Sequence, residues 1–414
     1  MKEPKKPITA KVSKLLMQRS PVERANWPLV QFVLVLIMDL LARTGYQMGK
    51  SPVLPLFAES LGAGPQVSGI VVAVSTTTGL LTSPLIGALS DRHGRRRLLL
   101  IGTALFAFMP FVYLLIRTPG QLILVRLLHG FATAIYGPVV SALVADMFQR
   151  DRAQHMGWYR SARTASYLLG PLLGGFVLFC GDFRLAWVLV GALGLAAFLP
   201  ALSLPRSRQP AGDPQERSDT WRFVSQHFAQ AIRNPVLLIL GAIEAALYLG
   251  LRANKAFLPL YAVSVGINPA QIGVLFGIQV IATLLAQPLG GYLSDRIGRR
   301  PAILGGLILV GGGLPLMVMT REFSALVLLS AVLGLGEAAV MPSVITLATE
   351  LSDRDNCGSI LGVLDAMDNV GKALGPIVAG LLLGLFSYAT AFTIIAGVLI
   401  AVAIVFCTLA RDIG

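Results

Sequence analysis

Apolar residues run along this chain in twelve stretches of about 20 residues, the length a helix needs to cross a roughly 30 Å hydrocarbon core. They cover 28–49, 67–90, 98–116, 120–145, 157–180, 185–204, 235–262, 270–293, 301–319, 323–348, 358–385 and 388–410. Polar, Gly-rich or Pro-bearing breaks separate them, so the pattern predicts an all-α membrane protein. The longest polar interval, 205–234, holds Pro205, Pro210 and Pro214 and divides the spans six and six. The expected organisation is a tail (1–27), a first six-helix bundle (28–204), a linker (205–234), a second bundle (235–410) and a short terminus (411–414).

Composition agrees. Of 414 residues, 55% are hydrophobic and only 13% charged, against about 25% charged in soluble domains. Mean hydropathy is +0.72. Nuclease, secreted-enzyme and disordered classes are thereby excluded. The formal charge of +13 has a topological cause. Twenty-three Lys/Arg fall in the tail, the even-to-odd loops, the linker and the C-terminus, whereas Arg117, Arg184, Arg321 and Lys50 fall on the other side. By the positive-inside rule both termini are cytoplasmic, in a plasma (inner) membrane, and nucleic-acid binding needs no separate place. The tail lacks an apolar core, so it reads as a cytoplasmic segment with a short interfacial helix around 8–16 and not as a signal peptide. Cys180, Cys357 and Cys407 have no metal or CxxC spacing.

The two bundles are copies. A shift of 204 residues carries Pro55, Gly69, Asp91, Gly94, Arg95, Gly130 and Pro138 onto Pro259, Gly273, Asp295, Gly298, Arg299, Gly334 and Pro342. One added residue then carries Gly157, Gly170, Pro171 and Gly175 onto Gly362, Gly375, Pro376 and Gly380. Parallel six-helix repeats are an architecture of transporters that rock two halves about a midplane site.

The segment Gly87-Ala-Leu-Ser-Asp91-Arg92-His-Gly94-Arg95-Arg96, with its copy Gly291-Tyr-Leu-Ser-Asp295-Arg296-Ile-Gly298-Arg299-Arg300, resembles the GxLxDRxGRR loop signature of the major facilitator superfamily. The resemblance implies the fold of that family, and a cytoplasmic gate in which Asp91 and Arg95 act with the acid ending helix 4, here Asp146. The plainer reading is a basic topogenic loop. Helix 5, Gly157-x8-Ser166-x3-Gly170-Pro171-x2-Gly174-Gly175, resembles the signature of the drug:proton antiporters in that superfamily, with Ser166 where the branch has Gly. Helix 11 repeats it as Gly362-x8-Gly371-x3-Gly375-Pro376-x2-Ala379-Gly380; a helix-packing seam would use the same residues. Arg126-x-x-His129-Gly130 resembles the RxxQG pattern of the same antiporters, with His in place of Gln. The resemblance ties that arginine to proton coupling, and a structural arginine is the alternative.

Ionisable residues at membrane depth are functional candidates. They are Asp39 and Arg43; Arg126 and His129; Arg160 and Arg163; Glu244, Arg252 and Lys255; Glu337; and Asp365, Asp368 and Lys372. None lies on helices 2, 3, 6, 8, 9 or 12, and in the superfamily helices 1, 4, 7 and 10 line the cavity while 5 and 11 meet between halves. Asp365, Asp368 and Lys372 share one helical face. Two carboxylates a turn apart cannot both ionise cheaply in a low dielectric, which makes one a proton carrier, unless Lys372 holds them as a fixed charged triad. Asp39 and Arg43 read equally as a proton site or a static pair. Glu337, among small residues without a local cation, is another carrier candidate, and Glu244 and Arg126 complete the set. Arg43, Tyr46, Tyr136, Tyr248 and Met367 are candidates to line the substrate cavity.

The expected function is a secondary active transporter, a proton-coupled exporter of small amphipathic organic molecules, acting as a monomer in the lipid bilayer. Its coupling ion would be the proton, and no cofactor is expected. A facilitator or a lipid or amphiphile flippase on the same fold is the alternative. An enzyme is disfavoured because HExxH and GxSxG are absent and the P-loop-like Gly49-Lys50-Ser51 has Thr44 where the first Gly belongs. A receptor would bind solutes without moving them.

Overall fold

The computed structural model describes residues 21–148, 151–204, 234–351 and 357–409, without the side chains of 21–28, 84, 87–88, 91–93, 357, 359 and 409. The expected interfacial helix, most of the linker, the C-terminal residues and the side chains of Gly87, Asp91 and Arg92 lie outside the described residues.

Every described element is helical. In chain order they are α1 (Pro21–Met48), α2 (Pro65–His93), α3 (Arg95–Tyr113), α4 (Pro119–Met147), α5 (Arg152–Cys180) and α6 (Phe183–Ser203). The second half holds α7 (Pro235–Ser264), α8 (Pro269–Ile297), α9 (Arg299–Met317), α10 (Phe323–Glu350), α11 (Cys357–Leu383) and α12 (Tyr388–Leu409). Eleven helical stretches are long and apolar enough to cross a membrane among the described residues; α2 is the remaining long helix, equal at 29 residues to its repeat partner α8.

Helix starts follow local chemistry. Pro stands in the first turn of α2, α4, α7 and α8, where its missing N–H costs nothing. Asp182 accepts from Leu185 N at 2.8 Å to cap α6. Asn268 and Gln271 form a reciprocal capping box on α8 at 2.9 and 3.0 Å. Between α2 and α3, and between α8 and α9, the chain turns at Gly94 (φ 92°) and Gly298 (φ 97°). A side chain is strained at such φ, which accounts for that glycine in both copies of the loop motif.

One boundary differs from expectation. The first apolar run ends at residue 49, but the helix continues through a π-helical turn, Gly49–Val53, into Leu54–Ser60. Pro52 lacks an N–H and Ser51 is non-helical (φ −158°, ψ 128°), so the ladder breaks and resumes without leaving the bundle. Lys50 therefore sits inside a continuous span rather than at its outer end. The repeat carries this information, since α7 shifted back by 204 residues reaches well past Lys50.

Packing obeys the repeat. The pairs α1/α5, α2/α4 and α3/α6 of the first half recur as α7/α11, α8/α10 and α9/α12. The halves meet along two seams related the same way, α5/α8 and α2/α11. In lipid no hydrophobic force drives helices together, so close approach at small residues supplies the contact. At the end of the bundle away from the Gly94 and Gly298 turns the backbones touch. A methyl group on Gly175 would lie 3.1 Å from Gly273 Cα and against the Pro269 carbonyl; one on Gly380 would lie 3.2 Å from Gly69 Cα and 2.6 Å from the Pro65 carbonyl. Toward the other end Gly157 and Gly362 face open space. Trp158, Leu289 and Tyr292 are exposed there. The halves are thus joined at one end and parted at the basic end.

Candidate functional site

Between the halves lies a cavity whose wall includes Lys50, Thr76, Pro171, Arg252, Lys255 and Lys372. It draws on α1, α2, α5, α7 and α11. Helices 4 and 10, expected to line it, contribute none of its described lining residues.

The structure separates the members of the α11 triad. Asp368 is 6% exposed and Asp365 lies exposed toward the open end. Lys372 Nζ donates to Asp368 Oδ2 at 2.5 Å and stands 4.4 Å from the centre of the Tyr248 ring. Asp368 Oδ1 has no hydrogen-bond partner among the described residues. From α7, Glu244, 4% exposed, is within electrostatic reach of Asp368, Asp365 and Lys372. Two buried carboxylates, Asp368 and Glu244, thus share the α7/α11 contact with Lys372, with Arg252 also within electrostatic reach of Asp368; Gly371 and Gly375 make the contact close by fitting against Ala245 and Ala253. With two carboxylates close together in a poorly hydrated place, the cluster can hold a proton.

Glu337 is half-buried and accepts from Thr283 Oγ1 at 3.4 Å, across the α8/α10 contact. It acts electrostatically on Lys255, so the isolation inferred from its own helix does not hold in space; the cation comes from α7. Asp39, fully buried, is held by Arg43 Nε at 2.9 and 3.0 Å. Arg43 also donates to Tyr159 OH at 3.3 Å and lies 5.5 Å from the Tyr136 ring centre. The pair and Tyr136 sit in the packed interior of the first half rather than on the cavity wall. Tyr46 shares a hydrogen bond with Ser75 at 3.3 Å, Tyr248 donates to Met341 Sδ at 3.3 Å, and Met367 packs on Gly241.

Arg126 is buried, with Nε on the Val71 carbonyl at 3.2 Å and Nη2 without a partner among the described residues. His129 Nδ1 meets Tyr113 OH at 3.1 Å, and its Nε2 is likewise unpartnered among them. No carboxylate pairs with Arg126 among the described residues.

At the basic end, Arg95 pairs with Asp146 and donates to the Ala142 carbonyl at 2.7 Å. Arg299 pairs with Asp295 and with Glu350 at 2.9 Å. Both clusters tie a loop to the end of α4 or α10 within one half, and neither described pair crosses between halves. Arg296 lies 4.8 Å from the Tyr292 ring centre. Motif reading passes over Glu350, yet Asp146 shifted by 204 residues lands on it. These pairs are half-exposed, and such pairs contribute about 0–1 kcal/mol. Glu350→Gln is therefore expected to shift the melting temperature by no more than about 4 °C, as scanning fluorimetry would show; a large drop would mean that the pair carries the fold.

Of the helix 5 and 11 signatures, Gly170 and Gly174 seat α5 on Gln47 and Met48 of α1, Gly375 seats α11 on α7, and Gly175 and Gly380 form the seams between halves. Pro171 and Pro376 line the cavity. Gly157 and Gly362 touch nothing within reach of a methyl group. Gly175→Ala is expected to cost the joined end about 1–3 kcal/mol by overpacking. Spin labels at Ser60→Cys and Ser264→Cys should then report a longer distance; an unchanged distribution would mean that the seam absorbs the methyl group.

The profile of the Major Facilitator Superfamily matches residues 35–252 and 242–412. The chain is 26% identical over 360 residues to the multidrug resistance protein MdtG of Citrobacter koseri, covering 84% of this chain and 87% of that one. It is 25% identical over 348 residues to the quinolone resistance protein NorA of Staphylococcus aureus, covering 80% and 84%. The crystal structure of the nucleoside transporter NupG superposes with a TM-score of 0.79 at 17% identity, over 91% of this chain and 98% of that one, which shows a shared fold. Its two six-helix repeats, the doubled loop motif and these matches place this chain in the major facilitator superfamily, as a multi-pass membrane transporter and not an enzyme.

Proposed function

We propose that this protein is a proton-coupled exporter of small amphipathic organic molecules, working by alternating access in the plasma membrane with both termini cytoplasmic. The observation that carries the reading is the buried Asp368–Lys372–Glu244 cluster, built where α7 meets α11 beside a cavity that two rocking halves enclose. Names of relatives, multidrug and quinolone resistance proteins, favour export of foreign organic compounds. Orientation rests on the basic loops. With Lys50 placed inside a span, Arg117, Arg184 and Arg321 remain as the cations opposite them, which strengthens the asymmetry.

In this reading the described form, joined at the end opposite the loop motifs, faces inward. Everted vesicles containing the protein are expected to lose an imposed proton gradient when substrate is added, and a protonophore should abolish accumulation. Flux indifferent to the protonophore would make the protein a facilitator or flippase.

A further inference from the structure

The wall of the central cavity carries more positive charge than the proton cluster uses. It holds Lys50 at the break in α1, Arg252 and Lys255 one turn apart on α7, and Lys372 on α11, and no carboxylate among its described lining residues. Asp368 neutralises Lys372. The other three have no carboxylate at ion-pairing distance among the described residues.

Their partners are weak. Lys50 Nζ donates to Thr76 Oγ1 at 3.4 Å and lies 5.6 Å from the Tyr46 ring centre. Arg252 stands 5.9 Å from the Tyr248 ring centre and Lys255 5.7 Å from that of Phe276. Ring faces attract cations, but by less than a counter-ion would at this depth. Lys50 and Lys255 are each within electrostatic reach of Arg252 and of one another. Glu337 acts on Lys255 from α10 and Asp368 acts on Arg252 from α11, both from outside the described lining.

Nor does the fold require these charges. The internal repeat sets Asn254 opposite Lys50, Met48 opposite Arg252 and Ser51 opposite Lys255, all neutral residues at equivalent places in the sequence repeat. Three cations without an ion-paired carboxylate, facing one space, repel each other, and an anion that enters that space offsets the repulsion beyond what Glu337 and Asp368 supply from outside the described lining. Val72, Pro171 and Pro376 on the same wall provide apolar surface beside them.

We infer that the transported molecule is an organic anion, a carboxylate, sulfonate or phosphate ester on an apolar body, held between Lys50 of the first half and Arg252 and Lys255 of the second. The inference rests on the transport reading above and narrows its substrate class. An anion bridging the two halves removes the repulsion between their cations, so its binding favours the form in which they close around it.

The test uses one apolar scaffold with three head groups: 2-naphthalenesulfonate, 2-naphthylmethanol and 2-naphthylmethylammonium. Binding is measured to the full chain in phosphatidylcholine nanodiscs, and flux in proteoliposomes. The sulfonate is expected to bind at least tenfold tighter than the ammonium. Lys50→Gln, Arg252→Gln and Lys255→Gln should each weaken it roughly tenfold or more, as loss of a charge-assisted hydrogen bond does. Lys50→Arg and Lys255→Arg should retain it, and melting curves confirm folding of each variant. Displacement of the sulfonate when phosphatidylglycerol is added would support the same anion site while assigning it to a lipid headgroup. Ammonium binding equal to or tighter than sulfonate, binding of none of the three, or unchanged sulfonate affinity in all three glutamine variants would overturn the inference. Should the ammonium or the alcohol be what crosses the membrane, the inference falls and the transport reading stands. Should the sulfonate bind as predicted and nothing cross, the anion site stands and the transport reading falls.

Discussion

Asp368→Asn is expected to abolish proton-driven accumulation while sparing substrate exchange down its gradient. The amide keeps the shape and the acceptor oxygen of the acid but can neither take up nor release a proton, so the carrier is held in one protonation state. Asp368 is the leading choice because it is buried, has one oxygen without a partner among the described residues, and shares its site with Glu244. Breaking a buried pair by removing one partner costs about 3–5 kcal/mol where the remaining charge is stranded. Lys372 is not stranded, since Glu244 is within electrostatic reach and the Tyr248 ring is close. A folded variant is therefore expected, and exchange can be measured on it. Glu244→Gln should give the same split between accumulation and exchange. If Asp368→Asn, Glu244→Gln, Asp365→Asn and Glu337→Gln each keep full proton-driven accumulation, the proton travels elsewhere.

Arg43→Ala is expected to lower stability more than Glu350→Gln, Gly175→Ala or any of the carboxylate-to-amide changes. It leaves the Asp39 carboxylate fully buried without its hydrogen-bonded partner, with Arg163 acting on it only beyond ion-pairing distance, and breaking such a pair typically costs about 3–5 kcal/mol. Asp39→Leu combined with Arg43→Met should recover most of it, because an apolar pair of similar volume needs no counter-ion. Thermal unfolding of Asp39→Leu, Arg43→Met and the double variant measures the coupling as a cycle. Should Arg43→Ala melt within about 2 °C of the parent, the pair is not a structural clamp, and its alternative role as a proton site gains ground.

Much of the fold is readable from apolar period and from the repeat, because both follow from a plan of six membrane-crossing helices used twice. Charge placement is readable only to the level of a helical face. Asp365 and Asp368 share a face by spacing, yet Asp365 is exposed toward the open end while Asp368 is buried where α11 packs on α7, between the Met367–Gly241 and Gly371–Ala245 contacts. Glu337 looks isolated in sequence because its own helix supplies no cation, whereas Lys255 approaches from another. Lys50 reads as an outer-end residue because Gly-Lys-Ser-Pro has the composition of a helix end, and only packing around Leu54–Ser60 shows that the span continues. Glu350 needs no structure at all, being the repeat partner of Asp146. The gate motif is legible as far as the Arg95–Asp146 contact, which forms as expected; its described ion pairs fasten loops within each half, and glycines make the close contacts between halves.

Alternating access between two such halves is the central claim, and paired distances test it most directly. In a background freed of native cysteines, one label pair is placed at Ser60→Cys and Ser264→Cys, exposed positions at the joined end that the repeat makes equivalent. The second is placed at Ala153→Cys and Gly358→Cys, the corresponding exposed pair at the open end of α5 and α11. Across substrate and pH conditions that support transport, the first distance should lengthen as the second shortens, with two populations exchanging in fixed proportion at both ends. A change at one end alone, or none at either while transport proceeds, would contradict the account.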